Sequence, residues 1–170
     1  GMGSAAPGLT VGTFHAICAQ VLRRDGEAGP DASGRDFVIY DDADQMQVMK
    51  QTLSDLDLDP KRYAPRNILG TLSHAKSELL GPEAFARQAG SYYEEIVARC
   101  YARYQELLAQ ARALDFDDLL LKAVELWHGQ PEVLKKYQDR YVHLLVDEFQ
   151  DTNVAQYVFA RTLASQSRNI

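Results

Sequence analysis

The chain contains no Gly-Lys dipeptide anywhere in its 170 residues. That absence excludes a phosphate loop of the Gly-x-x-x-x-Gly-Lys-Ser/Thr kind, whose backbone N–H groups cradle phosphates while the lysine neutralises them. Cysteine is scarce too. Cys18 and Cys100 stand alone without a Cys-x-x-Cys pair, which argues against a zinc site or a disulfide framework and fits a reducing cytoplasm. No apolar run approaches the roughly 20 residues of a membrane-spanning helix, and no secretory leader is legible, so no membrane partner is expected. Positive charge is also short. The formal net charge is −6, from 18 Lys and Arg against 24 Asp and Glu. Nucleic-acid binders usually carry a basic footprint, so any such contact has to come from a local patch.

What is present reads as helix. At 46% hydrophobic and 25% charged the composition is ordinary for a globular chain, and the length allows one core plus part of a second. Residues 9–13 suggest a short strand leading into a helix that ends near Arg24. Residues 25–35 are rich in glycine, proline and polar residues and read as a loop. Phe37 to Tyr40 is a brief extended piece, and Asp41 with Asp44 starts a helix carrying Met46, Met49, Leu53 and Leu56 at helical spacing. Pro65 suits a helix first turn, with Ile68, Leu69, Leu72, Ala75 and Leu79 on its apolar face. A short helix follows Pro82. The clearest one begins at Ser91, where Glu94 completes a capping box. Further helices are expected over about 115–127, 131–137 and 154–164.

The segment His143-Leu144-Leu145-Val146-Asp147-Glu148-Phe149-Gln150-Asp151-Thr152 carries the most chemistry. Its three apolar residues read as a buried strand, and two carboxylates follow where an open α/β sheet presents residues to a ligand crevice. An Asp there can hold Mg²⁺ against nucleotide phosphates, and a neighbouring Glu can orient or deprotonate a water. The plainer alternative is a strand followed by an acidic turn.

Val146 to Thr152, VDEFQDT, resembles the Walker B motif of UvrD/Rep/PcrA-type DNA helicases of superfamily 1. Val11 to His15, VGTFH, looks like the TFH motif of the same family, and Leu114 to Leu120, LDFDDLL, is similar to the segment that precedes its Walker B motif. The resemblance covers essentially the whole chain. It implies a mainly α fold: a helical, bundle-like insertion with two short parallel-type strands from an incomplete α/β P-loop motor domain. Residues 1–24 would be a motor segment with the TFH motif, 25–138 the helical 1B subdomain, and 139–170 a motor segment with Walker B.

The resemblance also implies roles. Asp147 would hold Mg²⁺ through its water shell, Glu148 would activate the hydrolytic water, and Gln150 and Asp151 would couple the ATP site to the motor. Asp151-Thr152 reads equally well as a cap for the last helix. Thr13, Phe14 and His15 would meet the single-stranded DNA backbone; taken alone, Thr13 is a helix cap and His15 a partly buried residue. Lys61, Arg62, Arg66, His74 and Lys76 form the densest cationic stretch, with Arg66 and Lys76 as candidate phosphate contacts and a solvated helix face as the alternative. Asp115, Asp117 and Asp118 read as carboxylates complementing a helix N-terminus rather than as a metal cluster, with Phe116 facing inward. Tyr93 and Tyr104 fit the apolar stripe of the long helix, whereas Tyr92 and Tyr101 point elsewhere.

The function implied is part of an ATP-dependent DNA helicase or translocase. It would act on single-stranded DNA and single/double-strand junctions, use ATP and Mg²⁺, and work with the remaining helicase domains. The alternatives are the helicase subunit of a RecB/AddA-type helicase–nuclease, or a non-catalytic helical module that binds DNA or protein.

Overall fold

Thr13 opens the first helix of the computed structural model, which describes residues 10–26 and 35–167. Its backbone is extended and its Oγ1 accepts the amide of Ala16 at 3.2 Å, which starts α1, Phe14–Asp25. The same device recurs where an acidic, hydroxyl or amide side chain precedes an apolar stripe. Asp41 and Asp44 form a reciprocal capping box for α2, Asp42–Asp55. Pro65 occupies the first turn of α3, Pro65–Ser77, and Pro82 that of the short α4, Pro82–Gln88. Ser91 and Glu94 cap α5, Tyr92–Gln110. Asp115 and Asp118 cap α6, Phe116–Gly129; α7 is Pro131–Arg140; and Asn153 with Gln156 caps α8, Val154–Ala164. Asn153, not Asp151 or Thr152, is therefore the cap of the last helix.

Among the described residues there are two short parallel strands, β1, Val38–Tyr40, and β2, Ala113–Asp115, in the register Val38↔Ala113 to Tyr40↔Asp115. β1 falls in the brief extended piece expected over Phe37 to Tyr40, whereas among the described residues the strands expected near each end do not form. Residues 10–13 carry no strand, and Leu9 lies outside the described residues, as do residues 27–34 of the expected loop. Residues 143–146 carry none either, and Leu145, expected in a buried strand, is 94% exposed. An extended apolar segment becomes a strand only when a neighbour satisfies its backbone groups. The sole sheet among the described residues is the β1–β2 pair.

The helices enclose two apolar clusters. The first gathers residues far apart in sequence: Cys18, Val21 and Leu22 of α1, Phe37, several of α6, Tyr137 of α7, and Ala155, Phe159 and Leu163 of α8. Trp127 stacks on Phe159 with centroids 4.5 Å apart at its centre. The second draws on α2, α3 and α5, from Met49 to Leu108, and is closed by Ala113 of β2. Tyr101 is fully buried here and donates its hydroxyl to the Leu80 carbonyl at 2.8 Å. Tyr93, placed in the core by spacing, instead stands at the surface and stacks on Tyr63. Strands β1 and β2 thus bracket the chain excursion that owns the second cluster, and α6 runs back to pack on α1 and α8.

Candidate functional site

Thr13, Phe14 and His15 lie at the start of α1, and the chain from Leu144 to Asp147 passes beside them. Together they line a groove of about 320 Å³ floored by Ile17, Phe159 and Leu163. Phe14 meets Phe159 edge to face at 6.1 Å, which anchors the α1 start to α8. Two motifs more than a hundred residues apart in sequence thereby share one cavity. Beyond Asp147 the chain turns sharply. The Asp147 Oδ1 accepts the Glu148 amide at 3.0 Å, and Glu148 adopts φ 47°, ψ 45°, a left-handed conformation uncommon for a residue with a side chain. Gln150 and Asp151 follow in a single 3₁₀ turn, pinned by the Phe149–Tyr157 edge contact at 6.2 Å. Both side chains are exposed, and neither they nor Glu148 lines the groove.

A second, wider groove of about 840 Å³ adjoins the first and shares His15. Arg66, Leu69, Gly70 and Ser73 of α3 form one wall, His15, Phe116 and Asp117 another, and the first turns of α2, with Asp42, Ala43, Gln45 and Met46, complete the lining. His15 meets Phe116 edge to face at 6.1 Å. Phe116, expected to face inward, is instead 42% exposed, because the turn that caps α6 directs its first residue away from the core. Sequence spacing could not reveal this, since a first-turn residue precedes the buried stripe. Asp117 bonds to Ser73, and partial burial raises its carboxyl above the usual range while nearby Lys76 and His15 pull it back.

Lys76 is a correction to the expected DNA contacts. It is 1% exposed, and its ammonium lies 2.6 Å from Asp115 Oδ2 and 2.9 Å from Asp118 Oδ1. A buried ammonium paired with two carboxylates has no charge to present to a strand. Tyr104 donates its hydroxyl to Asp115 at 3.0 Å, and Gln105 donates to Asp118 at 3.1 Å. Burial disfavours the lysine's charge, but Asp118 and Asp115 outweigh it, so its pKa is raised. One cation facing two anions leaves a surplus negative charge. Burial accordingly pushes the Asp118 carboxyl up to about 6, against the pull of Lys76. The three aspartates expected to complement a helix N-terminus thus do two things: Asp115 and Asp118 cap α6 and hold Lys76, and Asp117 lines the groove.

The donor set also bears on a metal. Among the described residues there is no group of three or more His, Cys, Asp and Glu able to hold an ion. Asp147 alone at the groove edge fits Mg²⁺, which keeps most of its waters and takes one or two carboxylates together with substrate phosphates. It does not fit zinc, which requires several protein ligands.

The sequence profile of the UvrD/REP helicase N-terminal domain matches residues 2–170. The chain belongs to the UvrD/REP helicase family. Among its relatives is the ATP-dependent DNA helicase PcrA of Bacillus subtilis, 44% identical over 169 residues, which covers 99% of this chain and 23% of that protein. PcrA of Leuconostoc citreum is 42% identical over 162 residues, covering 95% and 21%, and PcrA of Staphylococcus aureus 39% over 171 residues, covering 99% and 23%. The chain therefore spans less than a quarter of the length of these relatives. Within this UvrD/REP helicase segment, no described helix is long and apolar enough to cross a membrane.

Proposed function

We propose that the chain is a working part of an ATP-dependent DNA helicase or translocase that moves on single-stranded DNA and opens single/double-strand junctions together with the remaining helicase domains. One observation carries the reading: the TFH segment and the Asp147 segment share a groove, which supports a strand-binding element set against a nucleotide-binding one. In this reading residues 25–138 act as the helical 1B subdomain between the motor segments 1–24 and 139–170.

Asp147, at the groove edge, would hold Mg²⁺. Bound there with ATP, the ion would neutralise phosphate charge. Glu148, turned outward by its left-handed backbone, orients and deprotonates the attacking water. Gln150 and Asp151, on the turn that joins Glu148 to α8, carry the nucleotide state towards the strand groove. Thr13, Phe14, His15 and Arg66 take the DNA backbone, and Phe116, an exposed ring beside His15, supplies a face on which a base can stack.

The test is Glu148→Gln in the intact helicase. A carboxylate assigned to the water, not to the nucleotide, predicts hydrolysis down by about 10²- to 10⁴-fold with ATP binding retained. Turnover near the parent rate contradicts the assignment. The 170-residue chain alone, which has no Gly-Lys phosphate cradle, is expected to show no steady-state turnover.

A further inference from the structure

The buried Lys76 cluster lies where the two apolar clusters meet. Lys76 ends the buried stripe of α3, while Asp115 and Asp118 form the reciprocal cap that starts α6. Tyr104 and Gln105 add bonds from α5, and the ammonium also sits 5.2 Å from the Tyr104 ring centre. The wide groove has α3 on one side, the first residues of α6 with His15 on another, and the first turns of α2 completing the lining. A single buried ammonium therefore ties α3 to the start of α6, two of the elements that line the groove.

We propose that Lys76 is a positioning residue for strand binding. By tying the last turn of α3 to the first turn of α6, it sets the separation of the wall that carries Arg66 from the wall that carries Phe116 and His15. The inference rests on the reading of this groove as a path for single-stranded DNA. Lys76 touches no strand itself. Its effect is to hold the Phe116 ring and the Arg66 charge in one register, as a support holds a binding constellation that loosens when the support is left to chance. Asp118 can lose its charge without undoing the tie, because Asp115 alone still holds the ammonium at 2.6 Å.

The experiment uses the whole 170-residue chain with 4-fluorophenylalanine at position 116, read by fluorine NMR, and binding to a labelled oligothymidine at low salt, read by anisotropy across a salt series. Lys76→Met is expected to shift or broaden the fluorine resonance and weaken binding roughly tenfold, within the range usual for coupling between a site and its support. The salt dependence should keep the parent slope. Arg66→Ala, which removes a phosphate contact, should flatten that slope by about 0.7. Asp118→Asn should keep both the resonance and the affinity. Leu53→Ala, in the second cluster away from the groove, should lower the melting temperature yet leave the resonance in place. If Lys76→Met alone fails to fold, Lys76→Met/Asp118→Asn removes one of the stranded buried charges and carries the same expectation. A folded Lys76 variant with parent resonance and affinity overturns the proposal, and so does a flattened salt slope. If Arg66→Ala and His15→Ala leave binding unchanged, the groove reading fails, while the fluorine resonance still decides whether Lys76 sets the walls.

Discussion

The two apolar clusters are built differently. The second is drawn from one continuous excursion, α2 to α5, and closed by the β1–β2 pair. The first is assembled from five separated stretches, with a stacked Trp127–Phe159 pair at its centre and Leu145 fully in solvent on the flank. A cluster that closes on itself holds its shape from local sequence. One gathered from distant segments brings motifs together, and the grooves lie on it and at its seam with the other. The arrangement teaches a division of labour: the second cluster carries the α3 side of the wide groove, and the first brings the two motif segments together.

The largest test of that contrast is Trp127→Ala. Truncating a fully buried aromatic should cost about 3–5 kcal/mol in chemical denaturation. Hydrogen exchange should then accelerate in α1 and α8 while α5 keeps its protection; uniform loss would mean that the two clusters form one cooperative unit. Next in size is the pH response of the seam. The Asp118 pKa is raised from its ordinary value of 3.8 to about 6, so the folded state holds a proton that the unfolded state releases. Stability from this group is therefore present at the acid end and lost as pH rises from about 4 to about 6, by ~2 kcal/mol. The stability of Asp118→Asn relative to the parent should rise by that amount between pH 4 and pH 7, measured by denaturant titration at each pH. A difference independent of pH would place the buried surplus charge elsewhere.

Smaller effects probe the first cluster's edges. Thr13→Ala removes the α1 cap and should cost about 1 kcal/mol; a loss of DNA affinity well beyond that would show that the hydroxyl also meets the strand. Leu145→Ser should change stability by less than about 0.5 kcal/mol, because the side chain is already in water. A large loss would mean that this flank is packed after all.

Caps and apolar stripes made most helices readable. Ser91 with Glu94 and Asp41 with Asp44 announce themselves because a side chain and an amide three residues apart satisfy each other. Strands were less legible. β2 is three residues between two helices, too short for an alternating pattern, and it follows a left-handed Arg112 that no composition signal marks. The Leu144–Val146 run was readable as apolar but not as unpaired, since pairing depends on neighbours rather than on the segment. The resemblance implied motor-domain strands near residues 9–13 and 143–146; the described residues there form no strand, and residues 13–15 and Asp147 instead line one groove. The fate of Lys76 was hidden. In sequence it stands in the densest cationic stretch, yet a lysine four residues from Leu72 can turn inward when two carboxylates arrive from 39 and 42 residues away.

The central claim is that the adjoining grooves at the seam are a path for single-stranded DNA that runs past Asp147. The most direct measurement is photocrosslinking at low salt with an oligonucleotide carrying 4-thiothymidine at successive positions, followed by mapping of the attached residues. The account predicts attachment at Phe116 and His15, competed away by unlabelled single strands and reduced by raised salt. Attachment confined to the exposed Tyr92 and Tyr93 face of α5, with none in the grooves, would contradict it.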